Sequence, residues 1–196
     1  MTEQVLPDPQ AARAADAEAR ALTMGERLLD AGQAGPVWRV TRGVFRLERL
    51  SDEGWSFVQL ALPGDLIGVE ALCTQAYAFG ATAVVDSEAV PLTLESDALR
   101  HQVLADAFLQ QQRRSAEAVR LRSGTVASRV DHFLATLAHA TGVITQRVRD
   151  CDLPYLRDIA LIVDSAPESV CRAMGSLVAP RTRARPARRK LSPSLA

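Results

Sequence analysis

Residues 156–177 read LRDIALIVDSAPESVCRAMGSL, two apolar-periodic segments separated by a short polar run. Ile159, Ala160 and Val163 are the small or apolar positions before the interruption, and Val170 and Ala173 are those after it. Helical spacing on both sides predicts one helix over residues 155–163 and a second over 167–177. Pro167 falls in the first turn of the second helix, where its missing N–H is one of the donors a helix start leaves free anyway. Asp164 occupies the position where the chain must turn through the left-handed conformation, which aspartate tolerates better than most residues. The small side chain of Ala160 lets the second helix approach the first. Two helices crossing over so tight a turn make the helix-turn-helix pattern.

In that arrangement the N-terminal side chains of the second helix meet base edges in the major groove. Glu168 and Arg172, four residues apart, then share one face. Arginine can take guanine N7 and O6 with two hydrogen bonds, and a carboxylate can accept from cytosine N4, each good bidentate contact contributing about 1–3 kcal/mol of discrimination. An ion pair on a solvated face, worth about 0.3–0.5 kcal/mol, is the alternative that spacing alone leaves open.

The rest of the chain says what could present such a helix. With 196 residues, 47% of them hydrophobic, it can bury one large core or two modest ones. The net charge of zero conceals a division: from Gly142 onward ten arginines and lysines face five carboxylates, whereas the preceding part is acidic. A basic C-terminal part suits a polyanionic partner and equally a solubilising tail. No run approaches the roughly 18 apolar residues of a membrane span. The start, MTEQVLPDPQ, lacks the basic and apolar regions of a signal peptide, so a cytoplasmic protein with no membrane partner is expected. Three widely spaced cysteines, Cys73, Cys151 and Cys171, fit a reducing compartment and read as buried or incidental thiols.

Residues 9–22 are alanine-rich and read as a peripheral helix. From Gly25 to about Glu95 short segments rich in Val, Leu and Phe alternate with glycine and proline, which predicts an antiparallel sandwich or barrel. Residues 52–54 (DEG) predict a hairpin, with Gly54 taking the positive φ of the turn. Beyond Ser96 helical spacing takes over. Leu104, Phe108, Gln111, Ser115, Ala118 and Arg122 follow alternating steps of four and three, a candidate dimer seam; packing on the sandwich through Leu104, Phe108, Val119 and Leu121 is the other reading. Ser123-Gly124 breaks this helix, and a second one through Val130, Phe133, Leu134 and Leu137 ends near Gly142.

Taken together, VWRVTRGVFRL, LPGDLIGVEAL, the long helix and LRDIALIVDSAPESVCRAMGSL resemble, in that order, the Crp/Fnr family of bacterial transcription regulators. The resemblance runs from about Gly25 to Leu177. Behind the N-terminal helical extension read from composition (1–24), it implies an α+β chain: a jelly-roll sensor domain like that of cyclic-nucleotide-binding proteins (25–100), a dimerisation helix (101–126) and a winged helix-turn-helix DNA-binding domain, here followed by a basic tail (127–196). It further implies a homodimer on an inverted repeat of double-stranded DNA. Glu168, Ser169 and Arg172 would face bases, while Arg157, Arg181, Arg183 and Arg185 would meet phosphates. An effector pocket would involve Gly64, Asp65, Ile67, Gly68, Ala81 and Thr82, and RNA polymerase is a candidate further partner.

The departures from the family pattern are informative. Family members that bind cyclic AMP place a glutamate and an Arg-Ser pair where this chain has Val69 and Ala81-Thr82. Valine cannot accept a ribose hydroxyl and alanine offers the phosphate no charge, so a cyclic AMP site of the usual kind is not expected. The residues name no cofactor, and no cysteine cluster for an iron–sulfur centre stands at the N-terminus. His101, His132 and His139 lack metal-ligand spacing and read as surface or packing residues. Residues 178–196, with several prolines, no glycine and six basic residues within 181–190, do not read as a regular wing hairpin. The expected protein is a regulator and not an enzyme, its sensor domain either binding a small effector or serving as a dimer scaffold. A sensing or protein-interaction module with decayed DNA binding is the alternative.

Overall fold

Alternation along the β-rich segments builds two sheets. The computed structural model describes residues 18–52, 54–142 and 153–177. Eight strands come first: β1 (Arg20–Leu22), β2 (Arg27–Leu29), β3 (Trp38–Arg42), β4 (Phe45–Ser51), β5 (Gly54–Ala61), β6 (Leu66–Ile67), β7 (Gly80–Ala83) and β8 (Ser87–Pro91). They pair antiparallel as two four-stranded sheets, in the orders β1-β8-β3-β6 and β2-β7-β4-β5. Eight strands in two such sheets are the jelly-roll arrangement. Leu22, Leu29, Trp38, Phe45, Leu47 and Ala81 are among the buried residues that fill the space between them.

The β4–β5 hairpin lies where the sequence predicts it, with Ser51 paired to Gly54, and Gly54 has φ 110. The register between these strands shifts once, so that Leu47 faces Gln59 while the next residue, Glu48, faces Phe57. An extra residue in one strand resets which side chains share a face. Phe45, Leu47, Gln59 and Ala61 therefore point into the sandwich, and Arg46, Glu48, Phe57 and Leu60 point to its outer side, where the helices lie.

Arg20–Leu22 correct the expectation of an N-terminal helix reaching residue 22: they form a strand paired with β8, Ala21 opposite Glu88. Alanine-rich composition favours a helix locally, but pairing with a waiting sheet edge overrides so weak a preference. The remainder of that stretch, residues 9–17, lies outside the described residues.

Four helices follow. α1 (Asp97–Arg122) starts four residues before the expected 101, because the Ser96 hydroxyl accepts from the Leu99 N–H and caps it. It ends at Ser123, with Gly124 at φ 86 beyond. α2 (Val126–Thr141) is capped by Thr125 and closed by Gly142 at φ 68. α3 (Leu156–Ile162) and α4 (Pro167–Leu177) complete the described chain. One buried cluster joins Phe57, Leu60 and Val84 of the sandwich to Leu121 of α1, Phe133 of α2 and Ile159 of α3. Fully burying a side chain such as Phe133 contributes roughly 1.5–3 kcal/mol, so this cluster fastens the helices to the outer face of the sheet, separate from the core between the sheets. Among the described residues no helix is long and apolar enough to cross a membrane, and no cluster of three potential metal ligands forms.

Candidate functional site

The turn between α3 and α4 is built as its residues dictate. Asp164 has φ 50, in the left-handed region, and the Ser165 N–H behind it donates to the Ala160 carbonyl at 3.0 Å. α4 begins at once: Ser169 and Val170 donate backbone N–H bonds to the Ala166 carbonyl, at 3.0 and 3.2 Å. From α2, the Arg129 guanidinium reaches the turn and donates to the carbonyls of Val163 (2.5 Å) and Asp164 (2.9 Å). No sequence signal singles out Arg129, whose partners lie more than thirty residues away.

α4 is divided lengthwise. Val170 and Ala173 are buried against the other helices, while Glu168, Cys171, Arg172 and Gly175 are exposed and Ser169 is half-buried. Among the described residues Glu168 and Arg172 form no ion pair with each other; Arg172 Nη2 instead donates to Ser169 Oγ at 3.2 Å. Glu168, in the first turn, lies near the positive end of the helix dipole. Glu168, Ser169 and Arg172 therefore stand together on one end of α4. Arg157 stands elsewhere: its guanidinium lies over the Tyr155 ring and 3.6 Å from Asp158, lining clefts between the sandwich and the α3–α4 pair. Arg181, Arg183 and Arg185, and the tail in which a wing would lie, fall outside the described residues.

A chain of charges crosses from the sandwich to α3. Arg27 Nη2 and Arg46 Nε approach opposite oxygens of Glu48 at 2.6 and 2.7 Å, and Thr82 donates its hydroxyl to Glu48 at 2.9 Å. Arg46 Nη1 reaches Asp158 Oδ2 at 3.1 Å, a charge contact without hydrogen-bond alignment. Burial pushes the Glu48 carboxyl up, but the bonds and charges from Arg46 and Arg27, with the Thr82 hydroxyl, outweigh it and hold the group below its ordinary value of 4.5.

On the other side of the same sheet lies a cavity of about 680 Å³ between the sandwich interior and α1. Of the residues proposed for an effector pocket, Ile67 and Gly68 line this cavity; Gly64, Asp65, Ala81 and Thr82 do not. Each exception has a physical reason. Asp65 is engaged by Arg114 of α1, at 2.6 and 3.2 Å, and accepts from the Leu62 N–H. Ala81 and Thr82 are consecutive in β7, so one packs into the sandwich while the other faces Glu48 outside. Gly64 forms the β-turn before β6, its N–H donating to Val40. Gly68, at φ 73, leaves no room for a side chain: a Cβ there would lie 2.4 Å from the Tyr77 ring. Burial pushes the Tyr77 hydroxyl up to about 12, and it donates to the Pro36 carbonyl at 2.7 Å.

α1 seats itself through Gln110, whose carboxamide accepts from the Leu66 N–H (2.7 Å) and donates to the Leu66 carbonyl (2.8 Å), as a neighbouring strand would. Of the residues considered for packing on the sandwich only Leu121 is buried; Leu104, Phe108 and Val119 are 43%, 64% and 63% exposed. Of the thiols expected to be buried or incidental, Cys73 and Cys171 are free and exposed, and Cys151 lies outside the described residues. His132 is held by Glu117 at 2.7 Å, His101 lines the cavity rim and His139 is on the surface.

No family model and no curated protein sequence matches the chain. Solved structures do. A CRP-family transcriptional regulator of Thermus thermophilus is 25% identical with a TM-score of 0.63, the match covering 81% of this chain and 83% of that one. A CRP/FNR-family transcriptional regulator of the same organism is 26% identical with a TM-score of 0.58, over 82% and 85%. FixK2 of Bradyrhizobium japonicum, 20% identical with a TM-score of 0.59 over 81% and 83%, shares the fold. The chain thus resembles these proteins over about four fifths of its length, and its structural neighbours are transcription regulators of the CRP/FNR family.

Proposed function

We propose that the protein is a homodimeric, sequence-specific DNA-binding transcription regulator whose sensor domain does not take cyclic AMP in the usual way. The outward end of α4 carries the reading. Glu168, Ser169 and Arg172 stand together there with the Glu168 carboxylate and the Arg172 guanidinium unspent on each other, while Val170 and Ala173 anchor the helix behind them. An exposed guanidinium beside a carboxylate on one helix end suits base edges in a major groove. The exposed Leu104 and Phe108 of α1 support pairing of two chains, which would present two such helices to the halves of an inverted repeat. Arg157 and the basic residues 181, 183 and 185 are proposed phosphate contacts, adding affinity without sequence information. Val69 and Thr82 support the exclusion of cyclic AMP: the first offers no acceptor, and the second is turned away from the cavity to Glu48.

Selection of duplexes from a genomic fragment library by mobility shift at about 100 mM salt tests the reading. The expected product is a set of fragments sharing an inverted repeat, each binding two chains. Recovery of fragments without a shared sequence, or one chain per duplex, would overturn it.

A further inference from the structure

The cavity beneath α1 has a wall chemistry that narrows what can occupy it. Its volume of about 680 Å³ lies within the range of small-molecule sites. Leu47, Leu66, Ile67, Phe79, Leu104 and Phe108 supply most of the wall, and neither arginine nor lysine lines it. The imidazole of His101 stands exposed at the rim and the Glu70 carboxylate lies in the wall, so an anion entering the apolar interior would lose its water with no buried cation to receive it, which is unfavourable. Three of the polar residues in the wall are already engaged, Gln111 with the Ser115 hydroxyl at 3.4 Å among them. Gln110 gives both ends of its carboxamide to Leu66, and Glu70 accepts from the Ala78 N–H at 3.1 Å.

Gln59 differs. It is 5% exposed, lies opposite Leu47 on the inner face of the sheet and lines the cavity. Among the described residues none hydrogen-bonds its carboxamide. Its carboxamide faces the cavity, so its hydrogen-bonding capacity is open to a molecule bound there. We infer that the cavity takes a neutral, largely apolar small molecule whose one polar group, a hydroxyl or carbonyl, meets the Gln59 carboxamide. This rests on the reading of the β-domain as an effector sensor and replaces the anionic ligand that an Arg-Ser pair would serve with an uncharged one.

The test uses the full chain and displacement of the fluorescent probe N-phenyl-1-naphthylamine by four two-ring compounds: 1-naphthol, naphthalene, 1-naphthoate and 1-naphthylmethylamine. The expected order puts 1-naphthol first, about threefold to tenfold tighter than naphthalene, the range one net hydrogen bond supplies. The anion and the cation should bind more weakly than either. Gln59→Leu should erase the naphthol advantage while retaining naphthalene. Ala105→Trp, at an exposed position on the cavity rim, should weaken every compound about tenfold or more, with an unchanged circular dichroism spectrum as the control for folding. Equal binding of 1-naphthoate, a naphthol advantage that survives Gln59→Leu, binding unaffected by Ala105→Trp, or no binding of any compound would overturn the inference. A mobility shift on the same samples without compound separates the two readings: DNA binding that persists while the cavity results fail removes only the ligand inference. Cavity results that hold while DNA binding fails remove only the regulator reading.

Discussion

The two faces of the β2-β7-β4-β5 sheet solve opposite problems with adjacent residues. On the inner face Leu47 and Gln59 wall an apolar cavity and leave one amide open toward it. On the outer face Arg46, Glu48 and Thr82, together with Arg27, join a charge chain that ends at Asp158 of α3. One residue along β4 separates the two environments. The lesson is that burial alone does not define a site: Glu48 is more buried than Gln59, but its carboxylate is matched by protein partners, and among the described residues the Gln59 carboxamide is not.

The largest expected effect lies on the charged face. Glu48→Ala strands two guanidinium groups beside a buried gap, and breaking a buried pair in this way costs about 3–5 kcal/mol, to be read from the midpoint of urea unfolding. An effect below about 1 kcal/mol would mean that the chain behaves as a surface ion pair and the contrast between the faces is false. The same group gives a pH dependence. Because the folded pKa of Glu48 lies below 4.5, its contribution is complete above that value and is lost as pH falls through the lower folded value. Melting temperatures taken from pH 6 down to about pH 3 should therefore fall more steeply for the native chain than for Glu48→Gln, and parallel curves would contradict this.

Next in size is the pin that holds the α3–α4 turn. Arg129→Met removes the donors to the Val163 and Asp164 carbonyls and should destabilise by about 1–3 kcal/mol. Amide exchange should accelerate at Ser165 more than at the β4–β5 hairpin; uniform acceleration would show that Arg129 supports the whole domain and not this turn. The smallest effect belongs to the inner face. Gln59→Leu replaces an unpartnered amide with an apolar group of similar size and should change stability by no more than about 0.5–1 kcal/mol in either direction. A loss comparable to that of Glu48→Ala would mean that Gln59 is already satisfied and the two faces are alike.

What the sequence made legible follows the range of the interactions. The α3–α4 turn, the DEG hairpin and the break at Ser123-Gly124 rest on residues within a few positions of one another, and the structure has each of them. Residues 20–22 misled because their strand depends on β8, more than sixty residues away. Of the six residues named for a pocket only Ile67 and Gly68 line the cavity: the facing of Ala81 and Thr82 depends on strand parity, and Gln59 is placed by a register shift that composition does not reveal. Arg129 and the Arg46–Asp158 contact were invisible, since nothing local distinguishes them from solvated charges.

The central claim is that the outward end of α4 reads base pairs, and the specificity ratio of Arg172→Ala tests it most directly. For a duplex recovered by selection and a scrambled duplex of the same length, at one salt concentration, the variant should lose about 1–3 kcal/mol of discrimination while its affinity for the scrambled duplex changes little. If Arg172→Ala keeps the full ratio, or weakens both duplexes equally, the guanidinium is not reading bases and the account fails.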